Sequence, residues 1–108
     1  MSIELKWLED GTITSPQGFL AGATYSGIRT YTEDKLDLGI VYSEVSCTVA
    51  GTFTKNQVKS LSVVLDQQRV SSGRAQAIVI NSGIANACVG DQGMTDALEM
   101  AAVTAKHL

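Results

Sequence analysis

Apolar positions along this chain change their period, from two residues in its first half to helical spacing at its end. Apolar residues alternate with polar or small ones over positions 19–28, 37–44 and 48–54. Such alternation is typical of strands with one buried face. The second and third stretches are separated only by positions 45–47, so we expect them to pair as a hairpin. The pattern therefore predicts a sheet in the first half of the chain.

Weaker patterns predict further elements on either side of this hairpin. Residues 1–10 alternate weakly and are expected to form an edge strand, which Asp10-Gly11 ends with a turn. The short apolar run Leu61–Leu65 predicts another strand. A single helical turn over residues 66–72 follows, with Asp66 as its cap, and Ser72-Gly73 would end it.

A strand that runs into a loop of small and amide residues, within 75–93, is the most informative stretch. The β-branched run at 77–80 predicts a strand buried on both faces. From Asn81 to Gly93 the chain carries almost no side-chain bulk, so this loop can lie close to another backbone or to a ligand. Because loops at strand ends often carry function, Asn81–Gly93 is the candidate site.

The last element is an amphipathic helix over Met94–Leu108. Its apolar stripe consists of Met94, Ala97, Leu98, Ala101, Ala102, Ala105 and Leu108. Asp91 is expected to cap its start, and the alanine-rich stripe should allow close packing on the sheet. The sequence stops inside this pattern, which indicates a segment of a larger architecture; fraying at a natural terminus is the alternative.

Composition and charge exclude several classes of protein. A net charge of −3 argues against a nucleic-acid partner, because phosphate contacts need a surface of Lys and Arg. The first ten residues have scattered charges and no signal-peptide core. No apolar stretch approaches the length of a membrane span. We therefore expect a cytoplasmic, globular protein with neither a membrane nor a nucleic-acid partner.

The two cysteines, Cys47 and Cys88, match no metal or redox spacing. They could form a disulfide, one could be a nucleophile paired with His107, or both could be small core residues. Reducing cytosol favours the third interpretation. Since His107 is the only histidine and lies next to the last residue, we assign it no catalytic role.

The chemistry that remains belongs to the loop Asn81–Gly93. Backbone N–H groups at the following helix N-terminus could bind a carboxylate or phosphate. The amides of Asn81 and Asn86 could donate to a polarised carbonyl or hold a substrate amide. Alternatively, both asparagines bond to the backbone of the turn, which is common for this residue type and is favoured by the sequence alone.

Residues 81–93, NSGIANACVGDQG, resemble the N-S-G-N-A-N-A-C-T-G-x-Q-G signature of the ornithine acetyltransferase family. Three further segments agree in order: 15–19 with S-P-x-G-F, 37–43 with D-L-(G/A)-(L/W)-(I/V)-x-S, and 51–56 with G-V-F-T-x-N. Ile84 and Val89 depart from an Asn and a Thr of the signature, so no amide or hydroxyl function is assumed at these positions.

The resemblance implies an α/β fold, a mixed sheet with the C-terminal helix packed on it. Residues 1–108 would be one structural unit, the N-terminal segment of an α chain in a larger layered N-terminal-nucleophile-type architecture. A remaining α segment and a β chain would complete it as a hetero-oligomer. Family precursors cleave themselves before a threonine, which becomes the nucleophile of the β chain. That threonine lies outside this sequence, so no catalytic residue of the family maps onto residues 1–108.

The implied reaction is acetyl transfer from N-acetylornithine to glutamate in arginine biosynthesis, through a threonine acyl-enzyme. It requires no metal or organic cofactor, and whether acetyl-CoA also serves as donor stays open. Asn81 and Asn86 are expected near the substrate cleft. The alternative, from a different class, is a stand-alone domain that binds a small anion with the loop Asn81–Gly93.

Overall fold

The computed structural model describes residues 2–28 and 35–108, which form one sheet and two helices. The elements are β1 (Phe19–Thr24), β2 (Leu38–Thr48), α1 (Leu61–Val70), β3 (Arg74–Asn81) and α2 (Asp91–His107). The strands lie in the order β1-β2-β3, and both pairings are antiparallel. The predicted α/β class is confirmed, with an antiparallel sheet in the described part of the chain.

The sheet confirms three of the predicted strands. The alternating stretch at 19–28 contains β1, residues 37–44 lie in or next to β2, and the run at 77–80 lies within β3. The register of β2 against β3 shifts between Tyr42 and Cys47, an irregularity of the kind that bends a strand. For the polar residues 31–35 the sequence predicts a loop, and this stretch lies mostly outside the described residues.

The predicted hairpin across 45–47 is wrong. β2 continues through these positions to Thr48, and residues 49–54 form no strand. The physical reason is that 45–47 contains none of the Gly, Asn or Asp residues that tight hairpin turns prefer, so an extended backbone continues through it. The partner of β2 is instead β3, which comes from far along the chain.

The predicted edge strand at the N-terminus is also wrong for the residues that are described. Residues 2–8 belong to no strand, and Ile3, Leu5 and Trp7 are each more than 80% exposed. A short alternating segment forms a strand only when a sheet edge pairs with it. The turn that follows is present, with a hydrogen bond from the N–H of Gly11 to the C=O of Leu8.

Leu61–Leu65 is helical rather than extended, because α1 starts at Leu61. The Oγ of Ser60 accepts a hydrogen bond from the N–H of Val63 at 3.2 Å and caps the helix. Asp66 therefore lies inside α1 and is not its cap. The predicted end at Ser72-Gly73 is confirmed: Gly73 has φ +74°, and its N–H donates to the C=O of Val70.

The predicted C-terminal helix is confirmed as α2, with a different start. Its N-cap is Gly90, which offers no side-chain hydrogen bond, and Asp91 is the first helical residue rather than the cap. α2 packs mainly against α1, and α1 in turn contacts β3. Gly93 and Ala97 are buried in α2, whereas Leu98, on the predicted stripe, stays 43% exposed.

The core of the described residues is small. Leu65 and Ala97 are the only buried apolar residues among them. The prediction that β3 is buried on both faces is wrong, since Ile78 and Ile80 are 57% and 52% exposed. The chain exposes 8683 Å² in total, whereas a folded monomer of this mass exposes roughly 5,800 Å². No helix among the described residues is long and apolar enough to cross a membrane.

Candidate functional site

The candidate loop runs from the end of β3 to the start of α2. Its first amide is fixed, since the N–H of Ser82 donates to the C=O of Asp37 at 2.9 Å. That bond joins the loop to the residue just before β2. The loop therefore leaves the sheet at a defined position rather than as a free connection.

Asn86, which is half-buried, joins the starts of both helices. Its C=O accepts a hydrogen bond from the N–H of Leu61 at 2.9 Å, and its Nδ2 donates to the C=O of Gly93 at 2.7 Å. A Cβ atom on Gly93 would overlap the side chains of Asn86 and Val89. Gly93 thus leaves room for these side chains, whereas the close approach of this segment to another backbone or to a ligand stays a prediction.

Asn81 lies at the end of β3 with an exposed side chain, whose Nδ2 donates to the C=O of Ile84 at 3.3 Å. The side-chain NH₂ groups of Asn81 and Asn86 thus both bond to backbone within the segment. This is the arrangement that the sequence alone favoured. Proximity of either residue to a substrate cleft stays a prediction.

Asp37 is the polar residue at this end of the sheet that sequence reasoning missed. Its buried carboxylate accepts hydrogen bonds from the N–H and hydroxyl of Ser26, at 2.6 and 2.8 Å, and from the N–H of Ile28 at 2.9 Å. The Ser26 N–H is the main cause that holds the pKa of Asp37 below its ordinary value. No local pattern reveals this contact, because Ser26 lies eleven residues earlier.

The cysteines are both free thiols. Cys47 is half-buried, and its Sγ donates to the Oγ of Ser43 at 3.1 Å. Cys88 is exposed on the candidate loop with φ +57°, so the prediction of a core residue is wrong for Cys88. The positive φ of Cys88 is a backbone conformation that non-glycine residues rarely adopt, and it belongs to the turn that the loop makes here.

His107 and the acidic residues add no further centre of chemistry. The Nδ1 atom of His107 lies 2.8 Å from the C=O of Val103, one turn earlier in α2. The described residues contain no cluster of His, Cys, Asp and Glu that could hold a metal ion. The N-terminus of α2 carries Asp91 in its first turn, and this carboxylate would repel an anion bound there.

The comparison with protein families decides the assignment. Residues 20–108 match the model of the ArgJ family. The chain belongs to the ArgJ family. The family predicted from the motif at 81–93 is thereby confirmed, since the relatives of this chain are arginine biosynthesis bifunctional proteins.

Two ArgJ relatives illustrate the similarity in sequence. The arginine biosynthesis bifunctional protein ArgJ of Dehalococcoides mccartyi is 44% identical over 108 residues, which is all of this chain and 27% of the relative. The protein of the same name from Caldanaerobacter subterraneus subsp. tengcongensis is 46% identical over 99 residues, or 92% of this chain and 24% of the relative. The chain thus spans about a quarter of the length of these ArgJ proteins.

Two solved structures show that the ArgJ fold is present. The arginine biosynthesis bifunctional protein of Bacillus halodurans matches with a TM-score of 0.85 and 38% identity, over 92% of this chain and 51% of that one. The ornithine acetyltransferase of Mycobacterium tuberculosis, complexed with ornithine, matches with a TM-score of 0.80 and 40% identity, over 87% and 48%.

Proposed function

We propose that this chain is the N-terminal part of the α chain of a cytoplasmic ArgJ enzyme that transfers acetyl from N-acetylornithine to glutamate. The observation that carries the proposal is 44% identity, over all 108 residues, to an arginine biosynthesis bifunctional protein. The Mycobacterium tuberculosis relative with bound ornithine supports a substrate of the ornithine class.

The proposed role of this chain is to shape the site rather than to supply the nucleophile. A threonine acyl-enzyme requires a threonine freed by cleavage, which the resemblance places on the β chain. The described residues contribute a loop that backbone hydrogen bonds hold at Ser82 and Asn86. Such a fixed loop suits a wall of a substrate cleft, because positioning groups must be rigid to favour a transition state.

Its proposed partners are the remaining α segment and the β chain. The accessible surface of 8683 Å² supports such partners, because it exceeds the surface that a folded monomer of this mass exposes. A stand-alone anion-binding domain has less support, since Asp91 places a negative charge in the first turn of α2.

A chimeric enzyme tests this proposal. In the chimera, this chain replaces the matching 108 residues of the Dehalococcoides mccartyi relative. We expect the chimera to transfer acetyl from N-acetylornithine to glutamate and the isolated chain to be inactive. Acetyl-CoA is assayed as a second donor because the relatives are named bifunctional. A folded chimera without acetyl transfer, or an active isolated chain, would contradict the proposal.

The two asparagines are tested separately in the chimera. If its amide borders the substrate, Asn81→Ala is expected to lower kcat/KM at least about tenfold, with only a small loss of Tm because its hydrogen bond to Ile84 is exposed. Asn86→Ala is expected to lower kcat/KM beyond what its loss of Tm explains, because Asn86 also joins the two helices. The control is Asn56→Ala, an exposed asparagine outside this loop. Unchanged kcat/KM in Asn81→Ala and Asn86→Ala would make both residues structural.

A further inference from the structure

Asp37 lies one position beyond the last row of paired residues in the sheet. In that row, Leu38 of β2 pairs with Thr24 of β1 on one side and with Asn81 of β3 on the other. The N–H of Asp37 donates to the C=O of Thr24 at 3.1 Å, and its C=O accepts from the N–H of Ser82 at 2.9 Å. The backbone of Asp37 therefore joins the end of β1 to the start of the candidate loop.

The side chain of Asp37 places a buried charge at this junction. It is 7% exposed, and among the charged side chains of the described residues it alone is buried. A buried carboxylate lowers stability unless hydrogen bonds compensate it, and three donors on Ser26 and Ile28 do so here. Any residue type can make the backbone bonds to Thr24 and Ser82, so these bonds do not explain the carboxylate. What the carboxylate adds is a fixed orientation of residue 37 against residues 26–28.

This orientation is passed to the candidate loop through a single peptide unit. Ser82, which Asp37 holds by its N–H, follows Asn81 directly in the chain. The side chain of Asn81 is the one for which we propose a contact with substrate, and its Nδ2 already bonds to the C=O of Ile84. A displacement of about 1 Å at a positioning group can lower a rate about 100-fold. A small rotation of Asp37 is therefore enough to change what Asn81 does.

We propose that Asp37 is a positioning residue for acetyl transfer: its buried carboxylate, acting through Ser82, fixes Asn81 against the substrate. This inference rests on the proposed function. A role in stability alone is the competing interpretation, and the two differ in a measurable way. A purely structural residue changes the fraction of folded enzyme, whereas a positioning residue changes the turnover of each folded molecule.

Steady-state kinetics of the chimera at 25 °C separate these interpretations. We expect Asp37→Asn to lower kcat per folded enzyme at least about tenfold and to change KM by less than about threefold, because alignment is lost in the transition state. Glu44→Gln, an exposed carboxyl on the same strand, is the matched control and should leave both constants unchanged. A lowered Tm with unchanged kcat would overturn the inference.

Ser26→Ala is a milder variant that serves if Asp37→Asn does not fold. It removes the hydroxyl donor at 2.8 Å and keeps the two backbone donors to the carboxylate. We expect a loss of kcat in the same direction, about two- to fivefold, with KM again little changed. The control is Ser2→Ala, an exposed serine in the N-terminal segment. Equal kcat values for Ser26→Ala and Ser2→Ala would overturn the inference.

A double variant tests whether Asp37 acts through Asn81. If it does, Asp37→Asn combined with Asn81→Ala should lower kcat/KM no further than the more damaging single variant, because both changes remove one function. Losses that multiply would show that the two residues act independently, and would overturn the inference.

Hydrogen exchange distinguishes failure of this inference from failure of the proposed function. We expect the amide of Ser82 to exchange at least about tenfold faster in the Asp37→Asn chimera than in the unmodified one, because its acceptor is no longer held in place. Faster exchange in a chimera that transfers no acetyl group would support the control of the loop by Asp37 while the proposed function fails. Unchanged exchange would overturn the inference whether or not acetyl is transferred.

Discussion

At the residue scale, Asp37 links parts of the chain that are distant in sequence. Its carboxylate accepts three hydrogen bonds from Ser26 and Ile28, and its C=O accepts one from Ser82. The side chain of Asp37 thereby holds the turn after β1, and its backbone holds the start of the candidate loop. The sequence identified the loop from its composition but could not reveal this link, because no local pattern joins residues that lie so far apart in the chain.

The lowered pKa of Asp37 predicts a pH dependence of stability. Because the ionised carboxylate is favoured in the folded state, its contribution is complete above the pKa of the unfolded chain. It is lost as the pH falls through the lower folded-state pKa. We expect Asp37→Asn to lower the Tm of the chimera at neutral pH, and this deficit to shrink below about pH 4. Thermal unfolding followed by circular dichroism from neutral to acidic pH measures both effects.

The control for this prediction is Asp10→Asn, an exposed carboxyl in the N-terminal segment. It should leave the acid dependence of Tm unchanged. A constant deficit for Asp37→Asn at every pH would show that its ionisation does not stabilise the fold.

At Gly93 we expect an alanine substitution to destabilise the protein, which is the opposite of its effect in an ordinary helix. Alanine usually stabilises a helix interior by about 1 kcal/mol over glycine. Here its Cβ would overlap Asn86 and Val89, so we expect Gly93→Ala to lower the free energy of unfolding by about 1–3 kcal/mol. Gly22→Ala, where nothing lies within 4 Å of the added Cβ, is the control. Urea unfolding of the chimera measures both variants. Equal stabilities for Gly93→Ala and Gly22→Ala would show that the overlap at Gly93 costs nothing.

At the element scale, α1 shows why short apolar runs are ambiguous. LSVVL fits a strand by its β-branched residues and a helix by Leu61, Val64 and Leu65, which recur at helical spacing. The cap at Ser60 and the packing of α1 against α2 favour the helix. Local alternation also failed at 48–54, where a strand needs a partner and β2 pairs instead with β1 and β3.

The cap of α1 can be tested by a pair of serine variants. Because the Oγ of Ser60 accepts a hydrogen bond from the N–H of Val63, Ser60→Ala should lower the free energy of unfolding by about 1 kcal/mol. Ser62→Ala, an exposed serine two residues further on in the first turn of α1, should leave it unchanged or raise it slightly. Urea unfolding of the two chimeras provides the comparison, and equal losses would mean that Ser60 is not the cap.

At the scale of the whole molecule, the long periodic elements and the family were predictable, whereas the burial was not. The patterns at 77–80 and 94–108 gave β3 and α2, because each carries its own period. The apolar pattern along 77–80 does not reveal which layer, if any, covers each face of β3. Burial depends on neighbouring layers, and the described residues place a helix against β3 but leave Ile78 exposed.

The small core predicts the solution behaviour of the isolated chain. With Leu65 and Ala97 as its buried apolar residues in the described part, the chain should expose apolar surface in water. We expect it to enhance the fluorescence of the dye ANS more, per mole, than the chimera does. Sedimentation velocity should show self-association of the isolated chain. A monomer that binds no dye would contradict this prediction.

The bond between Leu61 and Asn86 makes one amide a reporter of loop opening. The first N–H groups of a helix normally lack a partner within the helix and exchange with solvent deuterium readily. The N–H of Leu61 is instead held by the C=O of Asn86, which belongs to the loop before α2. Its exchange rate therefore measures how often that loop detaches from α1, while the amide of Val63, bonded to Ser60, reports only the fraying of the helix end.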